Sequence, residues 1–213
     1  MSYLVKETYY TLQGEGGQAG RAAVFCRFSG CNLWSGRAED QPNAICRFCD
    51  TDFVGTDGAG GGRFDTAKAL ATHVAACWAG CGDSTGKPYV VFTGGEPLLQ
   101  LDDELVAAMH SCDFEVAVET NGTVLAPSGI DWLCVSPKAG AELHVTAGSE
   151  LKLVYPQADA APELFENLKF NYFYLQPLDN ENRDKNVQAA IQYCMAHPRW
   201  RLSLQTHKLI GIP

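Results

Sequence analysis

The chain has no apolar run near the ~20 residues that a membrane-spanning helix needs. Its start, MSYLVKETYY, lacks the basic and then apolar pattern of a secretory signal. These absences argue against membrane association, and the expected location is the cytoplasm. Basic residues are also scarce: 16 Lys and Arg stand against 25 Asp and Glu, a formal charge of -9 with no Lys/Arg run to offset it. A duplex nucleic acid partner is therefore not expected. Charged residues make up only 19% of the chain against 46% hydrophobic, which describes a compact globular protein and not a disordered one. At 213 residues it can bury a substantial core, and residues 1–213 are expected to form a single domain. The glycine stretch from Asp57 to Gly62 lacks the Gly-Lys-Ser/Thr of a phosphate loop and reads as a flexible surface loop. Nine cysteines are an odd and sparse set for a disulfide scaffold. Cys26, Cys112, Cys134 and Cys194 sit in apolar runs, where a thiol acts as a small hydrophobe. Cys77 and Cys81, four apart on one helical face, read as packing.

Three cysteines stand apart. Cys31, Cys46 and Cys49 follow the spacing C-x14-C-x2-C in one long loop, about residues 30–52, after an apolar strand. A structural zinc site wants four protein ligands, and an ordinary ferredoxin cluster wants four cysteines. Three thiolates with no evident fourth suggest a [4Fe–4S] site with one iron left open for a small molecule. A zinc module, with Cys26, Cys77 or Cys81 as the fourth ligand, is the non-enzymatic alternative.

Apolar runs predict buried strands at Ala22–Phe28, Tyr89–Phe92, Phe114–Val118, Trp132–Val135, Leu151–Tyr155, Tyr172–Leu175 and Arg201–Gln205. Helical spacing appears after Asp65 or Thr66 (Leu70, Val74, Trp78), after Asp102 or Asp103 (Leu105, Ala108, Met109), and from Asn182 to His197, where Pro198 stops it. This alternation implies parallel βαβ units of the α/β class. The connections near 119–132 and 136–150 are too short for long helices, so the expected architecture is an incomplete, abbreviated parallel (β/α) barrel.

Ligands of such sheets gather at the carboxyl ends of the strands. Four successive strands run into polar motifs there: Thr93-Gly94-Gly95-Glu96-Pro97, Glu119-Thr120-Asn121-Gly122, Ser136-Pro137-Lys138 and Gln176-Pro177-Leu178-Asp179. Gly94 and Gly95 allow close backbone approach to a ligand. Glu96 offers a carboxylate to an ammonium group. Such a set suits a polar, zwitterionic ligand carrying a ribose.

These residues resemble the radical S-adenosylmethionine (SAM) superfamily, whose Gly-Gly-Glu motif matches Gly94-Gly95-Glu96. Within it, the chain is similar to the deazaguanine synthases of queuosine and 7-deazapurine biosynthesis, lyases that serve a tRNA modification pathway. The likeness rests on Gln13-Gly14-Glu15-Gly16, Phe25 to Leu33, Cys46-Arg47-Phe48-Cys49-Asp50-Thr51, Phe92 to Pro97, Glu119 to Gly122, Ser136-Pro137-Lys138, Leu175-Gln176-Pro177 and Gln205-Thr206-His207-Lys208. It spans residues 13 to 208. Most of the superfamily uses C-x3-C-x2-C, and the longer gap here is itself a mark of this subgroup.

The resemblance implies a [4Fe–4S] cluster on Cys31, Cys46 and Cys49, with SAM on the open iron. The SAM pocket would comprise Phe48, Cys49, Asp50, Gly95, Glu119, Asn121, Ser136, Pro137, Lys138, Gln176, Pro177, Leu178 and Asp179. The substrate would be 6-carboxy-5,6,7,8-tetrahydropterin. A 5′-deoxyadenosyl radical would abstract hydrogen from it, and ring contraction with loss of ammonia would yield 7-carboxy-7-deazaguanine. Leu12, Gln13 and Gly14 would pair the amide-amidine edge and Glu15 would accept N–H groups. Arg27 would take the carboxylate, and Thr93 and His207 would add polar contacts. Residues 200–213 would close the pocket, bringing the Pro213 carboxylate to the substrate. The resemblance also implies Mg²⁺ at Thr51, a reducing partner such as flavodoxin or ferredoxin, and a homodimer. No side chain is expected to serve as acid or base catalyst. An activase that makes a radical on a partner protein is the other radical SAM alternative, although it leaves Arg27 and the Gln-Gly-Glu-Gly element without a role.

Overall fold

The computed structural model describes residues 2–81 and 86–213. In chain order the elements are β1 (Tyr3–Leu12), β2 (Ala22–Phe28), β3 (Gly62–Phe64), α1 (Ala67–Ala79), β4 (Tyr89–Gly94), α2 (Asp103–Ser111), β5 (Glu115–Thr120), β6 (Trp132–Val135), β7 (Ala147–Tyr155), β8 (Lys169–Pro177), α3 (Arg183–Ala196), β9 (Trp200–Leu202) and α4 (Thr206–Ile210). Among the described residues the strands form one nine-stranded sheet in the order β3-β1-β2-β4-β5-β6-β7-β8-β9. From β2 to β9 every pairing is parallel, while β1 joins β2, and β3 joins β1, antiparallel. β3 and β9 are the two edges, so the abbreviated α/β architecture is an open sheet and not a closed barrel.

The helices begin where the sequence places caps. Thr66 Oγ1 accepts from the Ala69 N–H at 3.1 Å, and Asp102 Oδ1 accepts from the Leu105 N–H at 2.9 Å and from the Tyr3 hydroxyl at 2.8 Å. α3 ends just before Pro198, which cannot continue a helix. No α-helix lies between β5 and β6 or between β6 and β7, as the short connections require.

The period of two along each strand splits the sheet into unlike faces. Val24, Phe28, Val90, Phe92, Val116, Val118, Leu151, Leu153, Phe173 and Leu175 point to one side. There they pack with Leu70 and Val74 of α1, Leu105 and Met109 of α2, and Ala190 of α3. Burying each large side chain is worth about 1.5–3 kcal/mol, so this face supplies the main drive to fold. Cys26 and Cys194 join it as expected, but Cys112 is exposed, and Cys134 lies elsewhere.

Two stretches differ from the sequence expectation. β1 does not appear among the apolar runs because Lys6, Glu7, Thr8 and Thr11 interrupt it, yet it pairs with β3 from Tyr3 to Val5 and with β2 from Val5 to Leu12, broken by a bulge at Lys6. Its antiparallel place lets it offer apolar residues to α1 on one side and polar residues to the opposite side. The glycine stretch is not a free loop either. The Thr8 N–H donates to the Ala59 carbonyl at 2.8 Å and the Gly58 N–H to the Lys6 carbonyl at 2.9 Å, fastening it along β1.

Candidate active site

The other face opens into a cavity of about 460 Å³ at the carboxyl ends of the parallel strands. Cys31, Cys46 and Cys49 share its wall. β2 delivers Cys31, and the fourteen-residue insert returns because the Leu33 carbonyl accepts from the Ile45 N–H at 3.2 Å and the Cys46 N–H at 3.4 Å. Within the insert, Trp34 packs edge-on against Phe53 with ring centres 5.5 Å apart, and Gln41 donates to the Cys49 carbonyl at 3.0 Å. Beneath it, the buried Lys6 ammonium holds Asp52 at 2.9 Å, Asp57 at 2.7 Å and the Val54 carbonyl at 2.9 Å. A long loop closed by these contacts loses little more entropy than a short one.

The thiols behave as one set. A hydrogen bond from Cys46 draws Cys49 down to about 6, while its proton-holding partner Cys46 is raised by that same bond and then by burial. Burial also raises Cys31. Gly95 brings the next turn against this loop. A Cβ at that position would lie 2.2 Å from the Gly30 carbonyl oxygen and 2.6 Å from Cys31 Cβ, so only glycine fits.

The neighbouring strand ends complete this side. Phe48, Asp50, Thr51, Gly95, Asn121, Ser136, Lys138, Gln176, Pro177, Leu178 and Asp179 all line the cavity. The Lys138 ammonium donates to the Ser136 carbonyl at 2.6 Å and to Ser136 Oγ at 2.7 Å. Burial lowers its affinity for the proton, and the adjacent Cys46 and Cys49 oppose that loss. Pro137, expected with its neighbours, is buried off the cavity wall, and its carbonyl accepts from Gln157 at 3.3 Å. Glu96 also differs from the expectation that it meets an ammonium. Fully buried, it accepts from the Leu98 N–H at 2.9 Å, Thr120 Oγ1 at 2.6 Å and the Asn121 N–H at 2.8 Å, which ties the Gly-Gly turn to the end of β5.

The same cavity is also lined by Leu12, Gln13, Gly14, Glu15, Arg27, Thr93, His207 and Pro213. Arg27 and Thr93 are direct partners across the β2–β4 ladder. The C-terminal residues arrive by hydrogen bonds: Thr206 donates through N and Oγ1 to the Gly14 carbonyl at 3.0 and 2.8 Å, and Thr11 Oγ1 donates to the Pro213 carbonyl at 2.9 Å. A Cβ on Gly14 would meet His207 Nδ1 at 2.2 Å, so the imidazole lies directly on that backbone. Burial holds His207 below its ordinary value, with the Glu15 charge opposing. Lys208 ties the segment to Asp50, next to Cys49, at 2.7 Å and to Asp179 at 2.6 Å.

Several residues on the cavity were not singled out from sequence. Glu7 and Tyr9 on β1 accept from Arg27 Nε at 2.7 Å and Nη2 at 3.2 Å, and the Tyr9 ring stacks on Phe25 at 5.7 Å. Lys152 on β7 donates to Glu15 Oε2 and Glu119 Oε2, both at 2.7 Å. Glu119, expected among the SAM contacts, is thus joined to Lys152 and to Gln13 Nε2 at 3.1 Å. The one signal available was alternation. Lys152 interrupts the otherwise apolar run Leu151–Tyr155, and a lysine inside such a run needs partners.

The donor set fits an iron–sulfur cluster with an open position. The cavity wall carries these three cysteines among the described residues, whereas Cys26 and Cys77 belong to the helix-covered face and Cys81 is exposed. They cannot complete a four-ligand zinc site here. Beside the thiols are glycine backbone, carboxylates and amides able to receive a zwitterion with a ribose. Fold and site together define an α/β radical SAM enzyme.

No family model matches the chain. Curated 7-carboxy-7-deazaguanine synthases from Caulobacter vibrioides and Bordetella pertussis are each 62% identical to it over 213 residues, covering 100% of both sequences. One from Bacteroides thetaiotaomicron is 39% identical, covering 98% of this chain and 97% of that one. The crystal structure of QueE from Escherichia coli aligns with a TM-score of 0.71 at 27% identity, covering 97% of this chain and 95% of that chain. The chain belongs to the 7-carboxy-7-deazaguanine synthase family. It is an enzyme of the radical SAM lyase kind, and the family works with a [4Fe–4S] cluster and SAM.

Proposed function

We propose that this chain converts 6-carboxy-5,6,7,8-tetrahydropterin to 7-carboxy-7-deazaguanine, with loss of ammonia, in queuosine and 7-deazapurine biosynthesis. The observation that carries this is one cavity lined both by the three cysteines and by Arg27, Gln13 and Glu15, a cluster site and a polar substrate site in the same space. Cys31, Cys46 and Cys49 would hold the cluster, and the SAM pocket would draw on Phe48, Cys49, Asp50, Gly95, Asn121, Ser136, Lys138 and the Gln176–Asp179 segment. When bound, cluster and SAM supply hydrogen abstraction by a 5′-deoxyadenosyl radical.

The chain's own residues orient the pterin. Arg27, braced by Glu7 and Tyr9, keeps part of its planar fork free for the C6 carboxylate. Gln13 and the backbone of Leu12 and Gly14 pair the amide-amidine edge, and Glu15 accepts its N–H groups. Thr93, next to Arg27 in the ladder, and His207, against Gly14, add polar contacts. Residues 200–213 form a cover that excludes water, with Lys208 as its clasp and Pro213 presented to the substrate. Thr51 would hold Mg²⁺, with substrate oxygens and water supplying the further oxygen ligands that a lone hydroxyl cannot. A flavodoxin or ferredoxin supplies electrons, residues 1–213 act as one domain, the enzyme is a cytoplasmic homodimer, and its product feeds a tRNA modification pathway. Among the described residues no helix is long and apolar enough to cross a membrane.

The test is turnover by anaerobically reconstituted protein with SAM and a chemical reductant. Formation of 7-carboxy-7-deazaguanine with release of ammonia is expected. A brown protein that binds SAM yet leaves the carboxytetrahydropterin unchanged would overturn the proposal.

A further inference from the structure

Part of the cavity lining is a charged cluster that takes no part in the radical step itself. Glu15 comes from the β1–β2 turn, Glu119 from the end of β5, Glu150 and Lys152 from β7. Strand register sets the order, since Glu119 pairs with Cys134 and Cys134 with Glu150 across neighbouring strands. Three carboxylates therefore face one ammonium, and the ammonium is 4% exposed. Their contacts are unequal. Glu150 Oε2 accepts from the Gly17 N–H at 2.7 Å, and burial raises its carboxyl above the usual range. Lys152 instead spends two of its three N–H donors on Glu15 and Glu119, at 2.7 Å each.

The result is a closed ring. Lys152 holds Oε2 of both carboxylates, Gln205 Nε2 holds Glu15 Oε1 at 3.0 Å, and Gln13 Nε2 holds Glu119 Oε1 at 3.1 Å. Gln13 Oε1 in turn accepts from the Glu15 N–H at 3.1 Å. Each carboxylate is thus fixed at both oxygens, and each carboxylate keeps lone-pair capacity for a ligand. Glu15, Glu119, Gln13 and Lys152 all lie on the cavity wall. Two carboxylates this close repel unless a cation sits between them, and without one they part or share a proton.

We propose that Lys152 is the positioning residue of the substrate site: it holds Glu15 and Glu119 together as a paired acceptor for the N–H donors of the 2-aminopyrimidinone edge of the pterin. The inference rests on the function proposed above. It makes Lys152 responsible for substrate affinity and not for cluster assembly or SAM binding. A lysine that served only to stabilise the fold would affect all of these alike.

The experiment compares wild type, Lys152→Met, Lys152→Arg, Glu119→Gln and Lys152→Met/Glu119→Gln as reconstituted holoenzymes. Lost support for charged acceptors is worth about ten- to a hundred-fold in binding. Lys152→Met is expected to raise KM for the carboxytetrahydropterin by at least about ten-fold, leaving iron content and SAM affinity within about two-fold. Lys152→Arg, still a cation between two carboxylates, is expected to recover part of the loss. Should Lys152→Met fail to fold, the double variant removes a negative charge with the positive one and is compared with Glu119→Gln alone; a further rise in KM is expected. A folded Lys152→Met, or double variant against its single, with pterin KM within about two-fold of its reference would overturn the inference. An equal loss of SAM affinity would overturn it too. Absence of turnover in the wild type would overturn the functional proposal instead.

Discussion

The two faces of the sheet are made by the same strands and obey different rules. Leu151 and Lys152 are adjacent in β7, both buried, and point to opposite sides. Leu151 enters the helix-covered core, where burial of hydrocarbon is favourable and shape is the only demand. Lys152 enters a charged cluster, where burial is costly and every donor must be matched. One face holds the strands in place, and the other uses that rigidity to keep charged groups where solvation alone would scatter them. A largely parallel sheet with its three long helices on a single side can do both.

Substitution on the first face gives the largest effect on stability. Leu151→Ala is expected to cost about 2–5 kcal/mol in urea unfolding, with pterin KM unchanged in the folded fraction. A rise in KM matching that of Lys152→Met would show that the two faces are not independent.

Acid sharpens the comparison from the other side. Burial pushes Glu15 up, but the Lys152 charge with hydrogen bonds from Lys152, Gln205 and Gln176 outweighs it and brings the carboxyl down to about 2 from an ordinary 4.5. A carboxylate depressed in the folded state contributes stability above its unfolded value and loses it as pH falls through the folded one. Wild type is therefore expected to exceed Glu15→Gln in stability near neutrality, and the gap is expected to close as pH falls below about 4.5 toward about 2. Glu150, raised by burial, acts in the opposite sense in both proteins and cancels in the difference. Urea midpoints at a series of pH values check this; a constant gap would show that Glu15 gains nothing from its ionic partners.

The smallest effect is expected at the rim. Lys208 pairs with Asp50 and Asp179 but is partly exposed. Lys208→Ala should change stability by less than about 1 kcal/mol, as for most surface pairs. If Lys208 is a clasp, KM for both SAM and pterin should rise, by at most about five-fold. Steady-state kinetics would detect it, and unchanged values for both would remove the clasp.

Much of the site was legible in the chain because its residues lie in short contiguous motifs at strand ends. Cys46 to Thr51, Ser136 to Lys138 and Gln176 to Asp179 reach one edge of the sheet whatever the details of packing, since parallel strands end on the same side. The individual exceptions follow from local geometry. Pro137 turns inward within a motif that otherwise faces the cavity, and Glu96 closes a turn instead of meeting a ligand. β1 was obscured because a strand with one polar face carries no apolar run, and with it went Glu7 and Tyr9.

By itself, then, the sequence determined the alternation of strands and helices, the strand-end motifs and the grouping of three cysteines in one loop, all of them local or periodic properties of the chain. Only the tertiary structure decided which charges meet. Lys152 lies 137 residues from Glu15 and 33 from Glu119, and Gln205 lies 190 from Glu15. Their pairing depends on strand order and register, which no local pattern encodes. Whether a buried charge is an error or a device depends on what stands opposite it.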